Sequence, residues 1–183
     1  KNNLRQIGIA LHHYHDVRNA FPPAFVAKSD RWRPSWTWTT FLLPHLEQSG
    51  LYDTMQIETK KFGGNVDFAS TPTRNTQSVL KIFQCPSCAG DALNHRKSRH
   101  AKNNYRAVMG NVSVPRTSYP VLTNQNGILY TNSSVSISCV SDGSSNTIAA
   151  GECILEDGDQ SKKAAIWAGV RGALGDVLYI SDT

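Results

Sequence analysis

The first seventeen residues form a long amphipathic segment, and this segment constrains the fold more than any other part of the chain. Apolar side chains recur at Leu4, Ile7, Leu11 and Tyr14, the spacing that lines one face of an α-helix. The pattern predicts a helix over residues 2–17 with a length of about 25 Å. Because a helix with one apolar stripe must bury it, we expect these four side chains to pack against the rest of the protein.

The two ends of this predicted helix differ. Asn19 is suited to the left-handed conformation that ends many helices, and Pro22 and Pro23 cannot continue the helix. At the start, Lys1 and Arg5 place cations where the helix dipole favours anions, and no capping Ser, Thr or Asp precedes them. We therefore expect the helix to begin upstream of Lys1.

The second half of the chain has the pattern of short β-strands. Apolar or alternating segments are separated there by Gly, Asn, Ser and Asp, and the predicted strands are residues 105–109, 127–130, 135–140 and 147–150. No second helix of comparable length is available for a bundle, and the alternating pattern of a parallel βα fold is missing. We expect one α+β domain over residues 1–183, with the long N-terminal helix packed on an antiparallel β-sheet.

Trp36 and Trp38 are candidate ligand-facing residues. Residues 35–43 alternate as a strand does, but residues 44–48 and 51–55 indicate short helical turns, and we favour the helical interpretation. Two nearby indole rings can stack on a sugar or a base. Large aromatic side chains beside an apolar run are more often part of the core, so both roles stay open.

Four cysteines fit either an oxidising compartment or a metal site: Cys85, Cys88, Cys139 and Cys153. The CPSC sequence has the spacing of a zinc half-site or a redox pair, but no second CxxC or HxxxH completes a zinc site. It also precedes a polar loop instead of the helix of a βαβ unit, which disfavours a thiol-redox enzyme. We favour structural cysteines, whose pairing the sequence leaves open.

The net charge of +5 is compatible with an anionic partner and equally with solubility alone. Residues 89–104 are polar and cationic, with the charges at Arg96, Lys97, Arg99 and Lys102. Such a cluster can contact phosphates, but no aromatic side chain for base stacking is interleaved before Tyr105. We favour a solvated loop and expect no specific binding of nucleic acid.

Calcium is the metal that the sequence could best accommodate. Glu156, Asp157 and Asp159 offer hard oxygen ligands, although their spacing is not that of an EF-hand. Asp142 and Asn146 could bind the same ion, but both residue types are favoured in turns for their own backbone hydrogen bonds. We favour solvated loops in both places.

Catalytic patterns are weak. His12 and His15 share a helix face and could hold a metal, but no third ligand can be identified. A P-loop, a nucleophile elbow and an HExxH motif are all missing from the sequence. We therefore expect no enzymatic activity and no cofactor.

The N-terminal sequence KNNLRQIGIALHHYHD, followed by FPP, resembles the opening of a pilin-like bacterial family known as DUF1559, also labelled a solute-binding family 10. Further blocks match in the same order: Trp36, LLPHLEQ (42–48), Leu51 with Tyr52, CPS (85–87), NNY (103–105), DGSSNT (142–147) and Gly151 with Glu152. Members of this family are similar to the pseudopilins of type II secretion. The resemblance implies a type IV pilin-like fold, with a leader and a membrane helix before Lys1 and a histidine and Asp-Gly ending beyond Thr183.

The same resemblance implies roles for individual residues. A cysteine immediately before Lys1 would be a partner for Cys85, and His12, Tyr14, His15 and Asp16 would fix the end of the helix to the sheet.

For function, the resemblance implies a non-enzymatic, extracytoplasmic and membrane-anchored assembly protein of a type II secretion or type IV pilus-like system. Its partners would be other pilin-like subunits and the inner membrane, both contacted through the segment before Lys1. The alternative is an anchored module that binds a glycan or another solute through Trp36, Trp38 and the loops.

Overall fold

The computed structural model describes residues 2–26, 35–58, 74–95, 99–111, 126–153, 165–170 and 178–180. The N-terminal segment forms one helix, α1, over Asn2–Arg18, which confirms the predicted helix. Asn19 follows it with a φ of 55°, and its backbone N–H donates to the His15 carbonyl at 2.7 Å. The helix therefore ends on the left-handed residue that the sequence indicated.

Short helical segments follow α1. They are α2 (Trp38–Phe41), α3 (Ser49–Met55) and the 3₁₀ helices η1 (Leu43–Leu46), η2 (Lys81–Phe83) and η3 (Ile137–Cys139). The helical interpretation of residues 44–55 is confirmed. The alternation at residues 35–43 gives only a two-residue strand before α2 begins.

Among the described residues, the β-structure consists of eight short strands in three small sheets. The strands are β1 (Ser35–Trp36), β2 (Leu93–Asn94), β3 (His100–Asn103), β4 (Tyr105–Asn111), β5 (Ala150–Glu152), β6 (Ala165–Ile166), β7 (Gly169–Val170) and β8 (Leu178–Ile180). β1 pairs with β7, β3 lies between β2 and β6, and β4 lies between β5 and β8. All pairs are antiparallel except β4 with β8, which is parallel. The class is therefore α+β, but a single antiparallel sheet is not formed by the described residues.

Two of the four predicted strands are wrong. Residues 105–109 lie in β4 and residues 147–150 only touch the start of β5, whereas residues 127–130 and 135–140 are not strands. Their backbone groups form hydrogen bonds with the residues that follow α1 and do not form a ladder with a described neighbouring strand. The Val135 carbonyl accepts the Phe21 N–H at 2.8 Å, and the Tyr130 carbonyl accepts the Ala24 N–H at 3.0 Å.

The buried stripe of α1 is formed by Ile7, Ala10 and Leu11, with Tyr14 partly buried against the same core. The expectation for Leu4 is wrong, because its side chain is 37% exposed. At 3.6 residues per turn, the direction of Leu4 differs by roughly 70° from the mean direction of the three buried residues, so Leu4 lies at the edge of the stripe.

The position of α1 also differs from the prediction. Among the described elements, its main contacts are with η1 and η2 and not with a sheet. Its buried side chains join a core that includes Trp38, Leu43, Phe83, Met109 and Trp167. None of the helices in the described part of the chain is long and apolar enough to cross a membrane.

Candidate functional site

Helix α1 is fixed at both ends by side-chain hydrogen bonds. At its start, Asn3 Nδ2 donates to the carbonyls of Lys81 at 3.1 Å and of Gln84 at 2.9 Å. At its end, His15 Nε2 accepts the backbone N–H of Ile137 at 3.0 Å. His15 therefore fixes the helix end as the resemblance implied, but to η3 and not to a sheet.

The outward surface of α1 is mostly polar. Arg5, Gln6 and His13 are exposed there, and so are three apolar side chains: Leu4, Ile9 (46%) and Val17 (69%). At 3.6 residues per turn these three point in well-separated directions around the helix. They form no continuous apolar stripe, so this stretch offers polar contacts to any neighbour.

The two tryptophans do not form a stacking platform. Trp38 is 2% exposed and lies in the core, so its ring is closed to a ligand. Trp36 is half-buried and packs against the same core. The structure therefore corrects the ligand-facing role considered for Trp38 and favours the core role.

A cavity of about 500 Å³ opens at the C-terminal end of α1, where this helix meets η1 and α3. Its lining residues are Tyr14, Val17, Arg18, Phe41, Pro44, His45, Tyr52 and Glu58. The volume is in the range of small-molecule sites. The sequence reasoning missed this site, although Tyr14, Pro44, His45 and Tyr52 belong to three separate blocks that carry the family resemblance.

One edge of the cavity carries a charged network. Glu58 Oε1 accepts from Arg18 Nη2 and from Tyr52 Oη, each at 3.3 Å. The side chains of Arg18 and Glu58 are 58% and 64% exposed, so this ion pair adds little stability. The pair instead places one cation and one carboxylate next to the aromatic side chains that line the cavity.

The protonation states in the cavity follow from burial and neighbouring charge. Burial, helped by the Glu58 carboxylate, raises the pKa of Tyr52 to about 12. Burial lowers the pKa of His45, and the charges of His13 and Arg18 lower it further. At neutral pH the phenol is therefore a hydrogen-bond donor and the imidazole is uncharged.

Three of the four cysteines lie around the fully buried Asn104. Its Oδ1 accepts the Cys85 N–H at 3.0 Å, and its Nδ2 donates to the Cys153 carbonyl at 2.9 Å and to Cys88 Sγ at 3.3 Å. Cys139 is exposed on η3. No disulfide joins any of the four.

The residues considered as metal ligands pack against other side chains or form hydrogen bonds within turns. His12 and His15 both contact the Phe21 ring, with centroid distances of 6.0 and 4.9 Å. Asn146 Nδ2 donates to the Asp142 carbonyl at 2.9 Å, so the DGSSNT turn is held by its own side chains. Within the described ranges, no three His, Cys, Asp or Glu side chains lie close enough to hold a metal ion.

Glu156, Asp157 and Asp159 lie outside the described residues.

The cationic cluster does not form one exposed surface. Arg99 is exposed at a turn, but Lys102 lies in β3, is 2% exposed and directs Nζ to Cys88 Sγ at 3.6 Å. His100 is also buried, with Nδ1 at 2.8 Å from Thr76 Oγ1. The solvated-loop interpretation is therefore wrong for the β3 residues, because strand pairing buries them. Residues 96–98 lie outside the described part.

These features define an α+β domain organised around one N-terminal helix that is fixed at both ends. A family model described as "Protein of unknown function (DUF1559)", labelled SBP_bac_10, matches residues 1–176. The chain belongs to this family. Neither a curated protein nor a solved structure matches the chain.

Proposed function

We propose that the protein is a pseudopilin-like structural subunit of a type II secretion or type IV pilus-like system, with a type IV pilin-like fold and no enzymatic activity. The observation that supports this most is the attachment of α1 to the rest of the domain. Hydrogen bonds at Asn3 and His15 hold its two ends, and Ile7, Ala10 and Leu11 bury its middle. Such a helix transmits a pull on its N-terminal end directly to the head.

In this proposal the full-length protein is extracytoplasmic. The segment before Lys1 spans the inner membrane or joins other pilin-like subunits in a fibre, and the described head faces outward. The polar outward surface of α1 suits a subunit whose apolar assembly contacts lie nearer the N-terminus.

The test is site-specific photo-crosslinking of the full-length protein in its own cells. A benzophenone side chain placed at Arg5, exposed on α1, should yield adducts with pilin-like subunits in the membrane fraction. The matched control is Ser144, exposed on the DGSSNT turn, where we expect no such adducts. Recovery of the protein in the cytosolic fraction, or equal adducts at both positions, would contradict the proposal.

A second candidate function is the binding of a polyhydroxylated solute, such as a glycan, in the cavity at the end of α1. Aromatic faces from Tyr14, Phe41 and Tyr52 can stack on a sugar ring, while Arg18 and Glu58 can bond its hydroxyl groups. In this candidate function the solute binds in the cavity and not at Trp36 and Trp38, where the sequence suggested a site.

A glycan array followed by calorimetry tests this candidate. Tyr52→Phe and Arg18→Ala should each weaken binding of an array hit by roughly tenfold, since each removes a hydrogen-bonding group. Trp36→Phe is the control and should leave the affinity unchanged. An array without hits, or a loss confined to Trp36→Phe, would rule the cavity out as the glycan site.

A further inference from the structure

We propose that Cys88 and Cys153 form a disulfide bond under oxidising conditions. This bond would join the CPSC turn to the residue that follows β5. The inference is independent of the assembly role proposed above. It rests on the surroundings of Asn104, which is fully buried immediately before β4.

One atom of Asn104, its side-chain Nδ2, forms hydrogen bonds to both cysteines. This atom lies 3.3 Å from Cys88 Sγ and 2.9 Å from the Cys153 carbonyl oxygen. The Cys153 N–H in turn donates to the Asn104 carbonyl at 2.7 Å, so both the N–H and the C=O of Cys153 are bonded to Asn104. Burial raises the pKa of the Cys153 thiol, and the nearby Cys88 adds to this increase.

The other two cysteines have different neighbours. Cys85 shares the CPSC turn with Cys88, but its contact with Asn104 is made by its backbone N–H, which donates to Oδ1 at 3.0 Å. Cys139 lies exposed on η3, the segment that holds the end of α1. The geometry therefore favours Cys88 with Cys153 over the sequence-adjacent pair of the CPSC motif.

Two cations flank the proposed pair. Lys102 Nζ lies 3.6 Å from Cys88 Sγ, and Lys102 is 2% exposed. Burial raises the pKa of the Cys153 thiol, and the neighbouring Arg106 acts against that increase. The ammonium of Lys102 and the amide of Asn104 favour a thiolate at Cys88, which is the species that reacts in disulfide exchange.

The reaction needs an external low-molecular-weight disulfide as oxidant. The Cys88 thiolate attacks one sulfur of that disulfide and expels a thiolate, which takes up the proton that Cys88 released. Cys153, after losing its proton, attacks the Cys88 sulfur of the mixed disulfide and expels the second thiolate. Both cysteines are oxidised and the external disulfide is reduced to two thiols.

The cross-link would close a loop of roughly 65 residues, and loops of this length gain substantial stability from closure in the chain-entropy model. It would tie the CPSC turn to β5 through a covalent bond beside the Asn104 contacts. We expect the oxidised chain to unfold at a temperature higher by about 5 °C or more.

The experiment is disulfide mapping of the chain of residues 1–183 after native oxidation with oxidised glutathione. The sample is alkylated and digested without reduction by trypsin and a glutamyl endopeptidase. These enzymes place Cys85 and Cys88 on the peptide 82–96, Cys153 on the peptide 153–156 and Cys139 on a third peptide. The expected product is the peptide 82–96 linked to the peptide 153–156.

Variants assign the linked sulfur and supply the controls. Cys88→Ser and Cys153→Ser should abolish the linked product, whereas Cys85→Ser and Cys139→Ser should retain it. Mapping of the unsubstituted chain needs no variant to fold, and fragment ions that separate Cys85 from Cys88 in the linked peptide show which of the two sulfurs carries the bond. A bond within the peptide 82–96, a bond to Cys139, or four alkylated thiols after oxidation would each overturn the proposal.

Discussion

At the scale of single residues, the family blocks are positions of packing and hydrogen bonding. In the NNY block, Asn103 Oδ1 accepts the Tyr105 N–H at 2.8 Å, and Asn104 bonds two cysteine-containing segments. All three residues of this block are buried. The residue pattern placed Asn103 and Asn104 at the end of a polar stretch, because polarity by itself does not show which amides become buried.

The first prediction concerns the buried stripe of α1. Leu11→Asp replaces a side chain that is 5% exposed with a carboxylate, and we expect a loss of at least ~3 kcal/mol in the free energy of unfolding. Ile9→Asp, on the opposite side of the helix, is the matched control and should cost less than about 1 kcal/mol. Denaturant unfolding measures both. Similar stability of the two variants would contradict the proposed attachment of α1.

The second prediction concerns Asn104. Asn104→Ala leaves the Cys85 N–H without its acceptor and the Cys153 carbonyl without this donor, so we expect a destabilisation of about 2–4 kcal/mol. Asn146→Ala removes one exposed bond in the DGSSNT turn and should cost less than about 1 kcal/mol. Thermal unfolding of both variants under reducing conditions gives the comparison. Equal melting temperatures would show that Asn104 is not a structural centre.

At the scale of elements, the end of α1 is held by the 3₁₀ helix η3, which the sequence pattern predicted as part of a strand. Residues 135–140 alternate like a strand, but Val135 bonds Phe21 and Ile137 bonds His15. Once these backbone groups contact the end of α1, they cannot pair in a ladder. A tertiary contact therefore overrides the local β-pattern.

The third prediction is a pH dependence at the junction of α1 and η1. Burial and the charges of His13 and Arg18 keep the pKa of His45 below its ordinary value of 6.5. The unfolded chain binds this proton more strongly, so His45 contributes stability above pH 6.5 that is lost as the pH falls through the folded-state pKa.

Nuclear magnetic resonance titration of the His45 ring checks this pKa directly. We expect a value below 6.5 in the unsubstituted protein and a higher value in His13→Gln, which removes one nearby charge. His95→Gln is the control and should have no effect, since His95 bonds Asp91 in a different part of the chain. A His45 pKa above 6.5 would disprove the electrostatic assignment.

At the scale of the whole molecule, the charge of +5 does not by itself create a nucleic-acid surface. We predict weak binding to DNA or RNA that declines steeply with salt and shows no preference for sequence or length. Arg99→Ala removes an exposed cation and should weaken this binding slightly, whereas Lys102 is buried and contributes no phosphate contact. Filter binding across a salt series measures it. A tight, selective complex at physiological salt would be inconsistent with this prediction.

The sequence alone determined α1, its left-handed end at Asn19 and the α+β class. These features depend on periodicity and capping over a few neighbouring residues, so the signal is local. The strand at residues 105–109 was predictable for the same reason. Strands of two residues, such as β1 and β7, carry no period and could not be predicted.

Only the tertiary structure decided which side chains meet. Arg18 and Glu58, like Asn3 and Gln84, are far apart in the sequence, and no local pattern relates their positions. The burial of Trp38, the exposure of Leu4 and the position of α1 on η1 and η2 were decided in the same way. Burial depends on which surfaces pack together, and that choice is made by the whole chain.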